Sequence, residues 1–146
     1  MASLIFCGEL LIKTYLKDKF AYQSIPLINH ILHLTVVFNR GVAFGLFKEG
    51  GQLLIYLSLI FIVVLLFIFT RENRPGFLIK LSYGLILGGA LSNFGDRLMY
   101  GYVIDYIDIR IWPIFNLADT SICLGVGLII FNSFRRRNSL LLRGDL

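Results

Sequence analysis

The chain has 146 residues, 57% of them hydrophobic and only 16% charged, with a mean hydropathy of +0.77 and a net charge of +5. That balance excludes an ordinary soluble domain and describes an integral membrane protein. The length allows roughly four spanning helices of about 20 residues each in one domain, and no large soluble domain beside them.

In chain order, the first helix is predicted over residues 1–16, with its apolar part confined to 1–12 and with Glu9 and Lys13 inside it. It is short for a bilayer core of about 30 Å, so either residues precede Met1 or the helix leans on its neighbours. Cys7, here, and Cys123, in the last apolar segment, show no disulfide or metal spacing and read as buried small hydrophobes. Lipidation of Cys7 after signal cleavage would need a small residue where the bulky Phe6 stands. Further on, Leu32-His33-Leu34-Thr35-Val36-Val37-Phe38 is rich in β-branched residues and predicts a strand. In a strand His30 and His33 point to opposite faces, which argues against a shared metal.

The clearest span is 53–69, within a helix predicted over 52–70, uncharged and closed by the turn Arg71-Glu72-Asn73-Arg74-Pro75-Gly76. A third helix is predicted over 77–95, with Lys80 near enough its start to snorkel, and a fourth over 116–134, before Arg135-Arg136-Arg137. In the third, Gly84, Gly88 and Ser92 recur every fourth residue as a smooth stripe for close packing. Asn93 and Arg97, also four apart, share a face; the alternative to a functional role for them is snorkelling to headgroups.

The 14 lysines and arginines divide equally between the two sides of the membrane. Their crowding in the short segments around 71–80 and after 134 places both termini in the cytoplasm and the 17–52 loop outside. The positive charge then serves anionic lipid rather than nucleic acid.

Ionisable groups at membrane depth are costly and read as functional. Asp105 and Asp119 stand in polar sequence bearing glycine and asparagine, on the outward side. Asn116 is placed to cap the fourth helix, with Asp119 in its first turn, where the helix dipole favours a carboxylate. A plain capping box is the alternative. Asp96, beside Arg97, reads as an interfacial charge, and Asp108, between isoleucines, lacks polar surroundings.

Two close carboxylates share one proton, so the ionised member can activate water while the protonated member donates to a carbonyl oxygen. That is peptide hydrolysis with no metal or cofactor. The chain has no H-E-x-x-H helix, no G-x-S-x-G elbow and no plausible Cys–His pair. Two other classes compete. In a small transporter or proton channel the aspartates would relay a cation, although the helix midsections around 57–67 and Ile86 carry no charge. In a non-catalytic assembly factor they would only pair with Arg97 and Arg110.

Four ordered stretches carry a resemblance: Asn39-Arg40-Gly41-Val42-Ala43-Phe44-Gly45, Gly88-Gly89-Ala90-Leu91-Ser92-Asn93-Phe94-Gly95-Asp96-Arg97, Val103-Ile104-Asp105-Tyr106-Ile107-Asp108 and Phe115-Asn116-Leu117-Ala118-Asp119. They resemble the motifs of bacterial lipoprotein signal peptidase, signal peptidase II. The resemblance implies an all-α membrane protein with four transmembrane helices and a small extracytoplasmic β cradle, here over about 25–48. It implies an aspartyl endopeptidase of the bacterial inner membrane that cleaves diacylglyceryl-modified prolipoproteins just before the modified cysteine. Asp105 and Asp119 would be its dyad, with Asn39, Asn93, Arg97, Asn116 and Lys13 in support. Two departures stand out. Ser92 replaces the usual glycine, and Glu9 replaces an aspartate four residues before the lysine.

Overall fold

A computed structural model of the chain describes residues 1–41, 51–73 and 75–143. Among them run α1 (Ala2–Phe20), β1 (Ser24–Ile28), β2 (Leu32–Asn39), α2 (Gly51–Arg71), α3 (Phe77–Tyr100), β3 (Val103–Asp108) and α4 (Leu117–Arg143). Arg74, Lys48 and the Val42-Ala43-Phe44-Gly45 part of the first motif lie outside the described residues.

The second predicted helix is matched within a residue at each end, whereas the other three run longer than expected. α1 extends to Phe20, with Lys17 and Lys19 in its last turn, where cations suit the negative end of the helix dipole. The Lys17 ammonium also sits 4.2 Å over the Tyr100 ring. α3 continues five residues past 95 because Asn93 and Asp96 are buried and turn their side chains inward. It stops at Gly101, whose φ of 74° is left-handed and whose N–H donates to the Arg97 carbonyl. α4 runs past 134 through its arginines, which are good helix formers.

Among the described residues three helices, Gln52–Arg71, Phe77–Tyr100 and Leu117–Arg135, are long and apolar enough to cross a membrane. α2 turns Tyr56, Leu57, Ile60, Val63, Val64 and Phe67 outward, a surface suited to lipid rather than water. Cys7 and Cys123 are exposed, which corrects the buried reading. In a membrane helix an apolar neighbourhood is as often the outer face as the core.

α3 is the central helix. A Cβ added to Gly88 would lie 2.8 Å from the Ala2 carbonyl oxygen and 2.9 Å from Ile5 Cβ, so the small stripe admits α1. α4 packs on another face, where a Cβ on Gly125 would lie 2.7 Å from the Ser82 oxygen and one on Gly89 would strike the Ala118 carbonyl. α2 joins through Leu65, which packs with Ile79, Tyr83 and Ile86 of α3.

The strands form one antiparallel sheet in the order β1-β2-β3, with Ser24 opposite Thr35 and Val37 opposite Asp105. The predicted strand is β2, and the sheet gains β3 from outside the expected 25–48 region. Leu16 of α1 packs with Val36, Ile104 and Tyr106, fixing the sheet on the helices. His30 lies in the turn between β1 and β2 with a φ of 61°, so the alternation argument does not reach it. His33 Nδ1 sits 3.3 Å from the Ser24 hydroxyl.

Candidate active site

The first turn of α4 is built by reciprocal bonds. The Asp119 N–H donates to Asn116 Oδ1 at 2.9 Å, and the Asn116 N–H donates to Asp119 Oδ2 at 3.3 Å. Asn116 therefore caps the helix as expected, and Asp119 completes a capping box. The capping and functional readings do not exclude one another: the box holds one carboxylate oxygen and leaves the other, Oδ1, to accept Asn93 Nδ2 at 2.7 Å.

Asp105 is delivered by β3 and is only 2% exposed. Each of its oxygens receives an amide, Oδ2 from Asn39 at 2.9 Å and Oδ1 from Asn116 at 2.8 Å. Burial pushes its carboxyl up to about 7, with the Asp119 charge adding to the rise and the Asn39 bond, Lys13 and the Asn116 bond opposing it. Asn116 thus touches both carboxylates, by its side chain and by its backbone.

Behind Asn93 lies a buried charged cluster. Lys13, 1% exposed, donates to Asn93 Oδ1 at 2.9 Å and Ser92 Oγ at 3.2 Å, and pairs with Asp96 at 2.9 Å and Glu9 at 3.2 Å. An ammonium only donates, so Lys13 fixes the Asn93 oxygen toward itself and the Asn93 amine toward Asp119. Asn93 Oδ1 also accepts Asn116 Nδ2 at 3.1 Å. Ser92 is therefore more than a small packing residue.

The structure corrects the reading of two rival carboxylates. Asp96 is no interfacial charge: it is buried, pairs with Lys13 and accepts the Ile104 N–H at 3.0 Å. Asp108 has polar surroundings, accepting the Thr35 hydroxyl, the Arg110 N–H and the Arg110 guanidinium. Burial pushes its carboxyl up, but these bonds outweigh burial and hold it below the usual carboxylate range. Arg110 is thereby engaged by Asp108 at 3.1 Å, away from the two candidate aspartates.

Arg97 is half-buried and donates from Nη1 to the Asn93 carbonyl at 3.3 Å. With Asn93, Leu54, Leu57, Phe61 and Ile122 it lines a cavity of about 340 Å³ between α2, α3 and α4. Among the described residues no three His, Cys, Asp or Glu side chains converge on a possible metal position.

Tyr106 is a residue that sequence reasoning misses. Its hydroxyl donates to Glu9 Oε1 at 2.6 Å and accepts the Leu117 N–H at 3.3 Å. Its sequence signal is weak: a phenol beside Asp105, noticeable only once 103–108 is read as a strand.

Residues 1–135 match the profile of a family described as Signal peptidase (SPase) II. The chain is 47% identical over 108 residues to the lipoprotein signal peptidase of Halothermothrix orenii, covering 74% of each protein. It is 40% identical over 129 residues to the lipoprotein signal peptidase of Moorella thermoacetica, covering 86% of this chain and 85% of that one. A bacterial membrane enzyme solved by the in meso method at 2.3 Å resolution is similar in fold, with a TM-score of 0.85 at 28% identity over 94% of this chain and 87% of its own.

Proposed function

The chain belongs to the signal peptidase II family, and from that premise we propose that it cleaves diacylglyceryl-modified prolipoproteins just before the modified cysteine, with Asp105 and Asp119 as its catalytic dyad. It is a protease that removes signal peptides. The observation that carries the dyad is Asn116, whose side chain binds Asp105 while its N–H binds Asp119.

The two environments divide the work. Asp105, pushed up to about 7 by burial, keeps the shared proton. Asp119, half-buried at a helix start, is the ionised base. Asp119 takes a proton from water as its oxygen attacks the scissile carbonyl carbon, and Asp105 donates its proton to the carbonyl oxygen. The resulting gem-diol returns a hydroxyl proton to Asp105, Asp119 protonates the leaving nitrogen, and the C–N bond breaks. Asn39, Asn93 and Asn116 hold the carboxylates, with Lys13 orienting Asn93. Arg97 lines a largely apolar cavity suited to a lipidated substrate.

The same reading makes the chain one membrane domain with α1 as a fourth span. At about 1.5 Å per residue, its 19 residues reach roughly 28 Å. Its charges Glu9 and Lys13 face inward while Leu4, Leu11 and Tyr15 face out. The sheet and dyad then lie toward the extracytoplasmic side of the inner membrane. The transporter alternative finds no support in the family. The test is cleavage of a diacylglyceryl-modified prolipoprotein by Asp105→Asn and Asp119→Asn. Each variant is expected to lose at least about three orders of magnitude in rate, and unimpaired cleavage by either overturns the dyad.

A further inference from the structure

Tyr106 takes no part in the proton transfers, yet it joins three elements around the dyad. Its N–H donates to the Phe115 carbonyl at 3.0 Å, its hydroxyl donates to Glu9 of α1, and its oxygen accepts the N–H of Leu117, the first residue of α4. The leading N–H groups of a helix have no partner inside it. Asn116 satisfies the one on Asp119 and Tyr106 the one on Leu117. Because the Glu9 carboxylate accepts, the phenol proton points to α1 and the oxygen lone pairs face α4. Burial, then Glu9, raises the phenol further above its ordinary value, so the proton stays in place at working pH.

We propose that Tyr106, held by Glu9, is a positioning residue that sets the start of α4 against β3 and thereby fixes Asp119 relative to Asp105. Asp105 directly precedes Tyr106, and Asp119 follows Leu117 by two residues, so the Tyr106–Leu117 contact ties together the two segments that carry the carboxylates. The glutamate matters by its length, since it reaches the phenol with Oε1 while Oε2 lies 3.2 Å from Lys13. An aspartate at position 9, one methylene shorter, keeps the charge for Lys13 and gives up the phenol. The charges facing this end of α4 are Glu9 and Lys13 from α1, Asp96 and Arg97 from α3, and Asp105 from β3.

This inference rests on Asp105 and Asp119 being the dyad, and the test separates the two. The full chain in detergent cleaves a diacylglyceryl-modified prolipoprotein, and kcat, KM and their pH profiles are compared. Tyr106→Phe, nearly isosteric, is expected to lower kcat roughly tenfold with KM within about twofold of wild type. Glu9→Asp is expected to lower kcat comparably and to add nothing in the Tyr106→Phe background. Should Tyr106→Phe not fold, Glu9→Asp alone is decisive through the same loss of kcat at unchanged KM. Wild-type kcat in either single variant, a loss carried by KM instead of kcat, or additive losses in the double variant overturns the proposal. Activity that survives Asp119→Asn overturns the dyad, whereas a dead Asp119→Asn beside a fully active Tyr106→Phe overturns only the role of Tyr106.

Discussion

Asn116 is the residue on which the two carboxylates meet, so its removal acts on both at once. Asn116→Ala leaves Asp105 Oδ1 without its amide and the Asp119 N–H without its cap. The lost cap alone costs about 1 kcal/mol, and the stranded buried acceptor costs about 1–3 kcal/mol more. Thermal unfolding is expected to show that loss, and single-turnover cleavage a rate reduced at least roughly tenfold. In the proposed dyad Asp105 sets the pH response. With its carboxyl pushed up to about 7 by burial, it is protonated below that pH and ionised above it. Activity that needs Asp105 as the proton donor therefore falls as pH rises through about 7, and a rate still climbing above that value would contradict the assignment. Stability follows the same sign, because a folded-state value above the unfolded one means the contribution is full below the ordinary carboxylate range and is lost as pH rises through about 7. At this scale the sequence exposed Asp105 and Asp119 because lipid penalises them, and exposed Glu9–Lys13 and Asn93–Arg97 because four-residue spacing puts each pair on one helix face. It hid Asp96, Asp108 and Tyr106, whose partners, Lys13, Thr35 and Glu9, lie far away in the chain and meet them only after folding.

α3 presents three faces to three helices, and the face toward α4 is where packing and the proposed dyad touch. Gly89 abuts the Ala118 carbonyl, one residue before Asp119. Gly89→Ala must push α4 away from α3 and lengthen the Asn93–Asp119 bond. It is expected to cost about 1–3 kcal/mol of stability and to lower kcat beyond what that loss explains, as cleavage by the folded fraction would measure. Gly127→Ala is the control on α4. Nothing lies within 4 Å of its added Cβ, so stability and rate should hold or improve slightly through helix propensity. The elements were legible in proportion to their greasiness. α2 was bounded within a residue because an uncharged run ends at a charged turn. α3 outran its hydropathy because Asn93 and Asp96 look like an end in sequence but point inward in the fold. Gly89 of α3 and Gly125 of α4 fall outside the four-residue stripe, so no simple period in the sequence marks them as packing positions.

For the whole molecule, the charge distribution and the site's location make one topological statement that can be tested. Asp105 and Asp119, the sheet and Tyr22 all lie toward one end of the helices, while the turn after α2, at Asn73, lies toward the other. Arg71 and Lys80 flank that turn and Arg135 closes the apolar part of α4, a density of positive charge that the proposed topology puts in the cytoplasm. On the proposed topology α1 crosses as well, because its start packs at Gly84 and Gly88 of α3 and its end packs under the sheet through Leu16. Glu9 and Lys13 keep α1 below the apolarity of the other three helices, yet both are buried against α3 and β3, which fits the proposed fourth span. In a background with Cys7 and Cys123 replaced by alanine, a cysteine at Tyr22, which is well exposed, should react with an impermeant maleimide on intact cells. A cysteine at Asn73 should react only after the inner membrane is opened. Labelling of Asn73→Cys from outside would invert the protein, labelling of both would contradict α2 as a span, and labelling of a cysteine at the exposed Ser3 from outside together with Tyr22→Cys would remove α1 as a span.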